Sequence, residues 1–128
     1  MQLQLISPEK ILFSGEVAMV TAPGSEGEFG VLNGHAPLVS TLKPGIVTID
    51  LPHGAQQKIA VLSGIAEVSP ERMTLLVESA VDCSAVSAAQ AQSRLQAARQ
   101  ACDDAITDEQ KKAAQAELAM AEVLAANL

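Results

Sequence analysis

The sequence predicts a β-plus-α protein. An N-terminal antiparallel β-sandwich or barrel over residues 1–83 is followed by a C-terminal antiparallel two-helix hairpin over residues 84–128. Two observations predict this class. Up to Cys83 the chain consists of short runs rich in β-branched and aliphatic residues, separated by Gly, Pro and Asn turn signals. From Ser84 onward, 15 of the 45 residues are Ala and none is Gly or Pro, a composition typical of helices.

The β half contains five runs with the composition of strands, at residues 1–7, 11–22, 45–51, 57–64 and 72–79. Turn signals lie between them at Asn33-Gly34, Lys43–Gly45, Pro52–Gly54 and Ser69–Glu71. Asn33-Gly34 suits a tight turn with positive φ, and Pro44-Gly45 suits a type II turn. Strands at this spacing with no helix between them predict antiparallel pairing.

Two helix starts are marked by capping boxes. Ser87 with Gln90, and Thr107 with Gln110, fit the Ser/Thr-x-x-Glu/Gln pattern and predict helices that begin near residues 88 and 108. Each helix carries one narrow apolar stripe, which predicts that the two pack as an antiparallel hairpin. The stripes are Ala91, Leu95, Ala98, Cys102 and Ile106, and then Ala114, Leu118, Ala121, Leu124 and Leu128.

Charge and composition exclude several functions. With 8 basic and 15 acidic side chains the formal net charge is −7, which repels nucleic-acid phosphates and acidic membranes, and there is no Trp or Tyr to stack on bases. No apolar run approaches the ~20 residues that span a bilayer. The first residues lack the features of a signal peptide. We therefore expect a protein of a reducing compartment, with Cys83 and Cys102 as free thiols and no metal site.

One Gly-rich stretch, Gly24–Pro37, is the strongest candidate for a functional loop. Its sequence, GSEGEFGVLNGHAP, lacks the lysine of a phosphate-binding loop, and Glu26 and Glu28 would repel a phosphate. His35 has no nearby nucleophile or orienting carboxylate, so catalysis is not indicated. The remaining interpretation is a rigid acidic loop that docks on another protein.

The same stretch resembles the epsilon subunits of bacterial F-type ATP synthases. The resemblance rests on GSEGEFGVLNGHAPLVSTLKPG, with ISPEKILFSGEV before it and SGIAEVSPERMTLLVESA after it, and it covers nearly all of residues 1–83. It implies a non-enzymatic rotor subunit without a cofactor, at the cytoplasmic face of the bacterial inner membrane. The β-domain would bind the gamma subunit and the c-ring of a proton-translocating enzyme. Glu26, Glu28 and His35 match the family's partner-contact positions.

The hairpin departs from the family's ATP-sensing pattern. Where ATP-sensing members carry [IL]-D-x-x-R-A, residues 86–91 read VSAAQA, so Ser87 and Gln90 replace the acidic and basic positions and we expect weak or no ATP binding. In the family this hairpin can enter the alpha/beta hexamer and inhibit hydrolysis through basic side chains. Only Arg94, Arg99, Lys111 and Lys112 are available for such contacts here, so the electrostatic case for inhibition is weak.

Two other functions compete with the rotor subunit. One is a stand-alone β-domain that binds a small molecule or acts as an esterase through His35. The other is an adaptor whose hairpin captures helices of other proteins. A rotor subunit should co-purify with a membrane-bound ATPase, an independent binding domain should not, and an adaptor should lose its partner when residues 84–128 are deleted.

Overall fold

Ten β-strands form the first part of the chain, and the computed structural model describes all residues from 1 to 128. The strands are β1 (Gln2–Ile6), β2 (Ile11–Glu16), β3 (Met19–Gly24), β4 (Gly27–Leu32), β5 (Leu38–Leu42), β6 (Gly45–Asp50), β7 (Gln56–Val61), β8 (Gly64–Val68), β9 (Arg72–Val77) and β10 (Ala80–Asp82). A short 3₁₀ turn leads to helices α1 (Ala88–Asp104) and α2 (Asp108–Asn127). The predicted fold class, a β-sandwich followed by two helices, is confirmed.

The strands pair in the order β10, β7, β6, β3, β5, β8, β9, β1 and β2, with β4 alongside β3. All pairings are antiparallel except that of β1 with β9, which is parallel. The sequence did not predict this pair, because β1 and β9 are distant in the chain and no hairpin turn sets their relative direction. Its register places Leu3 opposite Met73 and Leu5 opposite Leu75, and all four side chains are fully buried.

The predicted run 11–22 is two strands rather than one. β2 pairs with β1 while β3 pairs with β6, so the chain changes its partner between them. The change occurs at Val17 and Ala18, whose N–H groups donate to the carbonyls of Met1 (2.9 Å) and Asp50 (2.7 Å). Strand β4 lies inside Gly24–Pro37, which the sequence predicts to be a loop. The strand was not predicted because this stretch is rich in glycine, a residue that is uncommon in strands.

The two predicted turns have different outcomes. Gly34 has a φ of +87°, as the Asn33-Gly34 signal predicts. Gly45 does not have the positive φ that a type II turn requires, so that prediction is wrong. Gly45 begins β6 and is needed for close packing instead, because a Cβ placed there would lie 2.7 Å from Cβ of Pro23.

The core of the sandwich is aliphatic. It contains 17 buried residues, contributed by most of the strands, while Phe13 and Phe29 are only partly buried at its margin. The inward side chains alternate along β1, β6 and β9, as the period of two in a strand requires. No buried side chain is polar or charged.

Both helices begin where the capping boxes predict. The Ser87 hydroxyl accepts from the Gln90 N–H (3.1 Å), and the Gln90 side chain accepts from the Ser87 N–H (2.9 Å). Thr107 and Gln110 make the same reciprocal pair before α2, at 3.1 and 3.3 Å. The helices pack on each other through Leu95, Ala98 and Ala121, with Leu118 and Ala125 partly buried beside them.

The hairpin also packs on the sandwich. Ala60 of β7, Cys83 of the 3₁₀ turn, Ala91 of α1, and Met120 and Leu124 of α2 form one buried cluster, which we call the docking seam. Partly buried side chains of the sheet and helices surround it. The hairpin therefore lies folded against the sheet.

The predicted stripes fail at their ends. Ile106 is 82% exposed and Leu128 is 43% exposed, because Ile106 lies in the turn after α1 and Leu128 lies beyond α2. Neither predicted stripe includes Met120, which is 1% exposed. Its side chain packs against the sheet as well as against α1.

Gly64→Ala is expected to destabilise the sandwich. A Cβ at Gly64 would lie 2.2 Å from the carbonyl oxygen of Leu76, a backbone atom that cannot move aside cheaply. Overpacking of this kind costs about 1–3 kcal/mol, measurable as a lower urea midpoint. Gly15→Ala is the matched control, since the nearest atom to its Cβ would be 3.9 Å away. Equal midpoints for the two variants would contradict the close approach of β8 and β9.

Candidate docking surface

The turn between β3 and β4 carries the two predicted glutamates. Glu26 lies in the turn, and Glu28 is the second residue of β4; both side chains are exposed and neither forms an ion pair. Gly27 has a φ of +137°, which favours glycine at this turn. We call Ser25–Glu28 the acidic turn.

The acidic turn is fixed to strand β5. The Ser25 N–H donates to the Thr41 carbonyl (2.9 Å), and the two hydroxyls lie 2.6 Å apart. Next to it, Gly24 pairs with Leu42. These bonds hold the glutamates at a defined position on the sheet rather than on a loose loop.

An apolar row crosses the outer face of the sheet at the same end. The strand register places Thr41 opposite Ile65, Ile65 opposite Leu76, Leu76 opposite Ile6, and Ile6 opposite Ile11. Residues paired in this way point to the same side of a sheet. Ile65, Leu76 and Ile11 are 45%, 47% and 61% exposed, and Ile6 is half-buried. We call Ile6, Ile11, Ile65 and Leu76 the apolar row.

The next row on this face is mostly polar. It runs from β5 to β2 through Val39, Glu67, Thr74, Gln4 and Ser14. The apolar row is therefore a narrow stripe beside a polar surface. At one end it reaches Thr41, to which the acidic turn is bonded, so the two are contiguous. We call them together the docking surface, as a candidate contact with another protein.

His35 does not belong to this surface. It follows β4 whereas Glu26 precedes it, and the rise of the strand between them is roughly 17 Å. The imidazole Nδ1 lies 2.7 Å from the Ala36 carbonyl, and the His35 N–H donates to the Leu32 carbonyl (3.1 Å). The ring is thus held locally in the turn. The structure does not bring His35 together with Glu26 and Glu28.

The helical candidates have separate surroundings. Ser87 and Gln90 are occupied by the capping box. Arg94 forms an ion pair with Glu117, whose hydrogen bonds raise the pKa of the guanidinium above its ordinary value. The remaining basic candidates on the hairpin are exposed and unpaired: Arg99, Lys111 and Lys112.

Cys83 is buried in the docking seam, and burial raises the pKa of its thiol. Cys102 is also a free thiol, as expected from the sequence. No group of three or more His, Cys, Asp or Glu side chains is arranged to hold a metal ion. Neither α1 nor α2 combines the length and apolar content that a bilayer-spanning helix needs.

Residues 1–83 match the family model described as "ATP synthase, Delta/Epsilon chain, beta-sandwich domain". The chain belongs to the ATP synthase delta/epsilon chain family. The match covers the sandwich and both parts of the docking surface, and it ends before α1.

Full-length relatives extend the match through the helices. The ATP synthase epsilon chain of Paramagnetospirillum magneticum is 41% identical over 125 residues, which are 98% of this chain and 94% of that one. The epsilon chain of a Bradyrhizobium species is 59% identical over 76 residues, 59% of this chain and 56% of its own. Identity is therefore higher in the shorter aligned segment.

Solved structures agree on the fold. A chain of the Euglena gracilis mitochondrial ATP synthase OSCP/F1/c-ring structure superposes with a TM-score of 0.78 and 25% identity, covering 97% of this chain and 78% of that one. A chain of the Tetrahymena thermophila mitochondrial ATP synthase central stalk and c-ring structure gives 0.61 at 16% identity, covering 97% and 92%, and shows the fold alone.

The apolar row was missed by sequence reasoning. A signal was present, because Leu75 and Leu76 are adjacent in β9. They break the alternation of apolar and polar residues expected of a strand with one solvent-exposed face. Leu75 points into the core, so Leu76 must be on the outer face. In this delta/epsilon-family chain, an apolar doublet in an otherwise alternating strand would have located the row.

Proposed function

We propose that this chain is a non-catalytic rotor subunit of a proton-translocating ATP synthase, and that its β-domain couples the gamma subunit to the c-ring. The family match, the epsilon-chain relatives and the F1/c-ring structural neighbour support this function. The structural observation that carries it is the docking surface, in which exposed carboxylates and an exposed apolar row are joined through Thr41.

The two parts of the docking surface suit two kinds of partner. The apolar row exposes three large aliphatic side chains, which suits a permanent contact, since obligate interfaces are more apolar than transient ones. We assign it to gamma. Glu26 and Glu28 are exposed and unpaired, so they suit the polar loops of the c-ring, where charge complementarity sets orientation.

His35 takes a different place in this proposal. Because β4 separates it from the acidic turn, it would contact a different part of the partners from the one that Glu26 and Glu28 contact. Its ring is half-buried and lies within hydrogen-bond distance of its neighbour's carbonyl, which fits a residue that shapes the turn after β4. The local bonding of His35 lends no support to an esterase that would act through this residue.

The proposed location is peripheral, at the cytoplasmic face of the bacterial inner membrane, as part of the assembled enzyme. In this arrangement residues 1–83 act as the docking unit and residues 84–128 as a separate helical unit. Arg94, Arg99, Lys111 and Lys112 remain the candidate contacts with the alpha/beta hexamer, and three of them are exposed and unpaired. A regulatory effect on hydrolysis would require the hairpin to leave the docking seam.

Ile65→Glu is expected to weaken binding to gamma by about 10- to 100-fold, because a buried aliphatic anchor typically contributes 1.4 kcal/mol or more to an interface. Ile65 is 45% exposed in the free chain, so the substitution should leave the fold intact. Titration of the purified gamma-containing complex, depleted of this subunit, measures the change.

Ser14→Glu is the control for this experiment. It places the same charge on the same outer face but in the polar row, three residues from Ile11 on β2, and its side chain is exposed. Equal affinities for the two variants would exclude the apolar row from the gamma contact.

Glu28→Lys is expected to lower ATP-driven proton pumping relative to ATP hydrolysis, because it reverses an exposed charge at the proposed c-ring contact. Inverted membrane vesicles report both quantities, pumping through a pH-sensitive dye and hydrolysis through phosphate release. Glu67→Lys on the polar row is the matched control. An unchanged pumping-to-hydrolysis ratio in Glu28→Lys would remove Glu28 from the contact.

Millimolar Mg-ATP is expected to leave the thermal midpoint of the isolated chain unchanged. A ligand present at 100 times its Kd would stabilise the folded state by about 2.7 kcal/mol, a shift of several degrees. Ser87 and Gln90 are engaged with each other and offer no cation to a phosphate. An ATP-specific rise in the midpoint, absent with Mg²⁺ and inorganic phosphate, would contradict this expectation.

A further inference from the structure

Only one ion pair in the chain joins two charged side chains. Arg94 of α1 and Glu117 of α2 face each other across the hairpin, with Arg94 Nη2 3.1 Å from Glu117 Oε2 and Arg94 Nε bonded to the other carboxylate oxygen. The chain has 8 basic and 15 acidic residues, yet no other Lys or Arg is paired. A two-bond arginine–carboxylate pair fixes geometry as well as charge.

The ion pair lies one helical turn from the docking seam on both helices. Arg94 follows Ala91 by three residues, and Glu117 precedes Met120 by three, so each charged residue is on the same helix face as a seam residue. Ala91 is fully buried, and Met120 is 1% exposed against Ala60 and Cys83.

The rest of the hairpin interface has few large side chains, with Leu95 buried and Leu118 partly buried. Leu95, Ala98 and Ala121 are the buried residues between the helices. Two of these are alanines, and an alanine side chain buries little apolar surface. The helices therefore lack a large apolar core of their own, and the pairing of α1 with α2 depends more on the ion pair than it would in a Leu-rich bundle.

We propose that Arg94 and Glu117 form a latch that holds α2 against α1 and so keeps Met120 in the docking seam. Opening the hairpin would break both hydrogen bonds and expose Met120, Leu124 and Cys83 together. While the latch is closed, Arg94 is occupied within the chain and is not available to a partner. The latch is a property of the isolated chain and does not depend on the proposed assembly.

Alkylation of Cys83 measures the opening. Cys83 is 7% exposed within the docking seam, so N-ethylmaleimide reaches it when the hairpin moves away. Peptide mass analysis separates its modification from that of Cys102, which is partly exposed in α1. The measurement uses the full-length chain at neutral pH.

Arg94→Gln and Glu117→Gln are each expected to speed modification of Cys83 about twofold to fivefold, the range that half-exposed ion pairs allow. Arg99→Gln is the matched control, because Arg99 is an exposed and unpaired residue of the same helix. If Arg94→Gln and Glu117→Gln label Cys83 at the rate of Arg99→Gln, the latch is overturned.

Two further measurements separate a latch from general destabilisation. The doubly reversed chain, Arg94→Glu with Glu117→Arg, should label more slowly than either single reversal, and rates that simply multiply would overturn the proposal. Hydrogen exchange of the β1 and β9 amides should stay at the wild-type rate in both Gln variants. Faster exchange there would mean that Cys83 is reached through unfolding of the sandwich, which also contradicts a latch.

Discussion

The parallel pairing of β1 with β9 is the contact on which the rest of the structure depends. It joins the first strand of the sandwich to its ninth and sets which residues face the core. Leu3 and Leu5 face inward opposite Met73 and Leu75, while Ile6 faces outward opposite Leu76. A slip of one residue would exchange the two faces of β1. The same register therefore builds the core and completes the apolar row.

Local signals predicted the helices well. Each capping box is complete within four residues, so Ser87 and Thr107 could be identified without knowing any distant contact. The sandwich class was also predictable from runs and turns. Strand pairing was not, because the partner change at Val17 and the parallel β1–β9 pair depend on contacts between residues far apart in sequence. The prediction of a type II turn at Gly45 was wrong for the same reason, since this position is constrained by close packing against Pro23, which is distant in sequence.

The candidate site was only half predictable. Glu26 and Glu28 could be proposed from the sequence because their stretch is distinctive and resembles a known family. The apolar row is assembled by register from four strands, and no single segment shows it. The burial of Met120 was not predicted for a related reason, because it depends on contact with the sheet and not on the apolar stripe between the helices. Surfaces made by several elements need the fold before they can be recognised.

The bonding of Ser25 to Thr41 has a mechanical consequence. On the proposed assignment, the acidic turn contacts the c-ring and the apolar row contacts gamma, and Thr41 lies between the two contacts. Torque passing from ring to shaft would cross a hydrogen-bonded β-ladder rather than a flexible linker. Such a junction would twist very little, so elastic energy in the rotor would have to be stored in other parts of the machine.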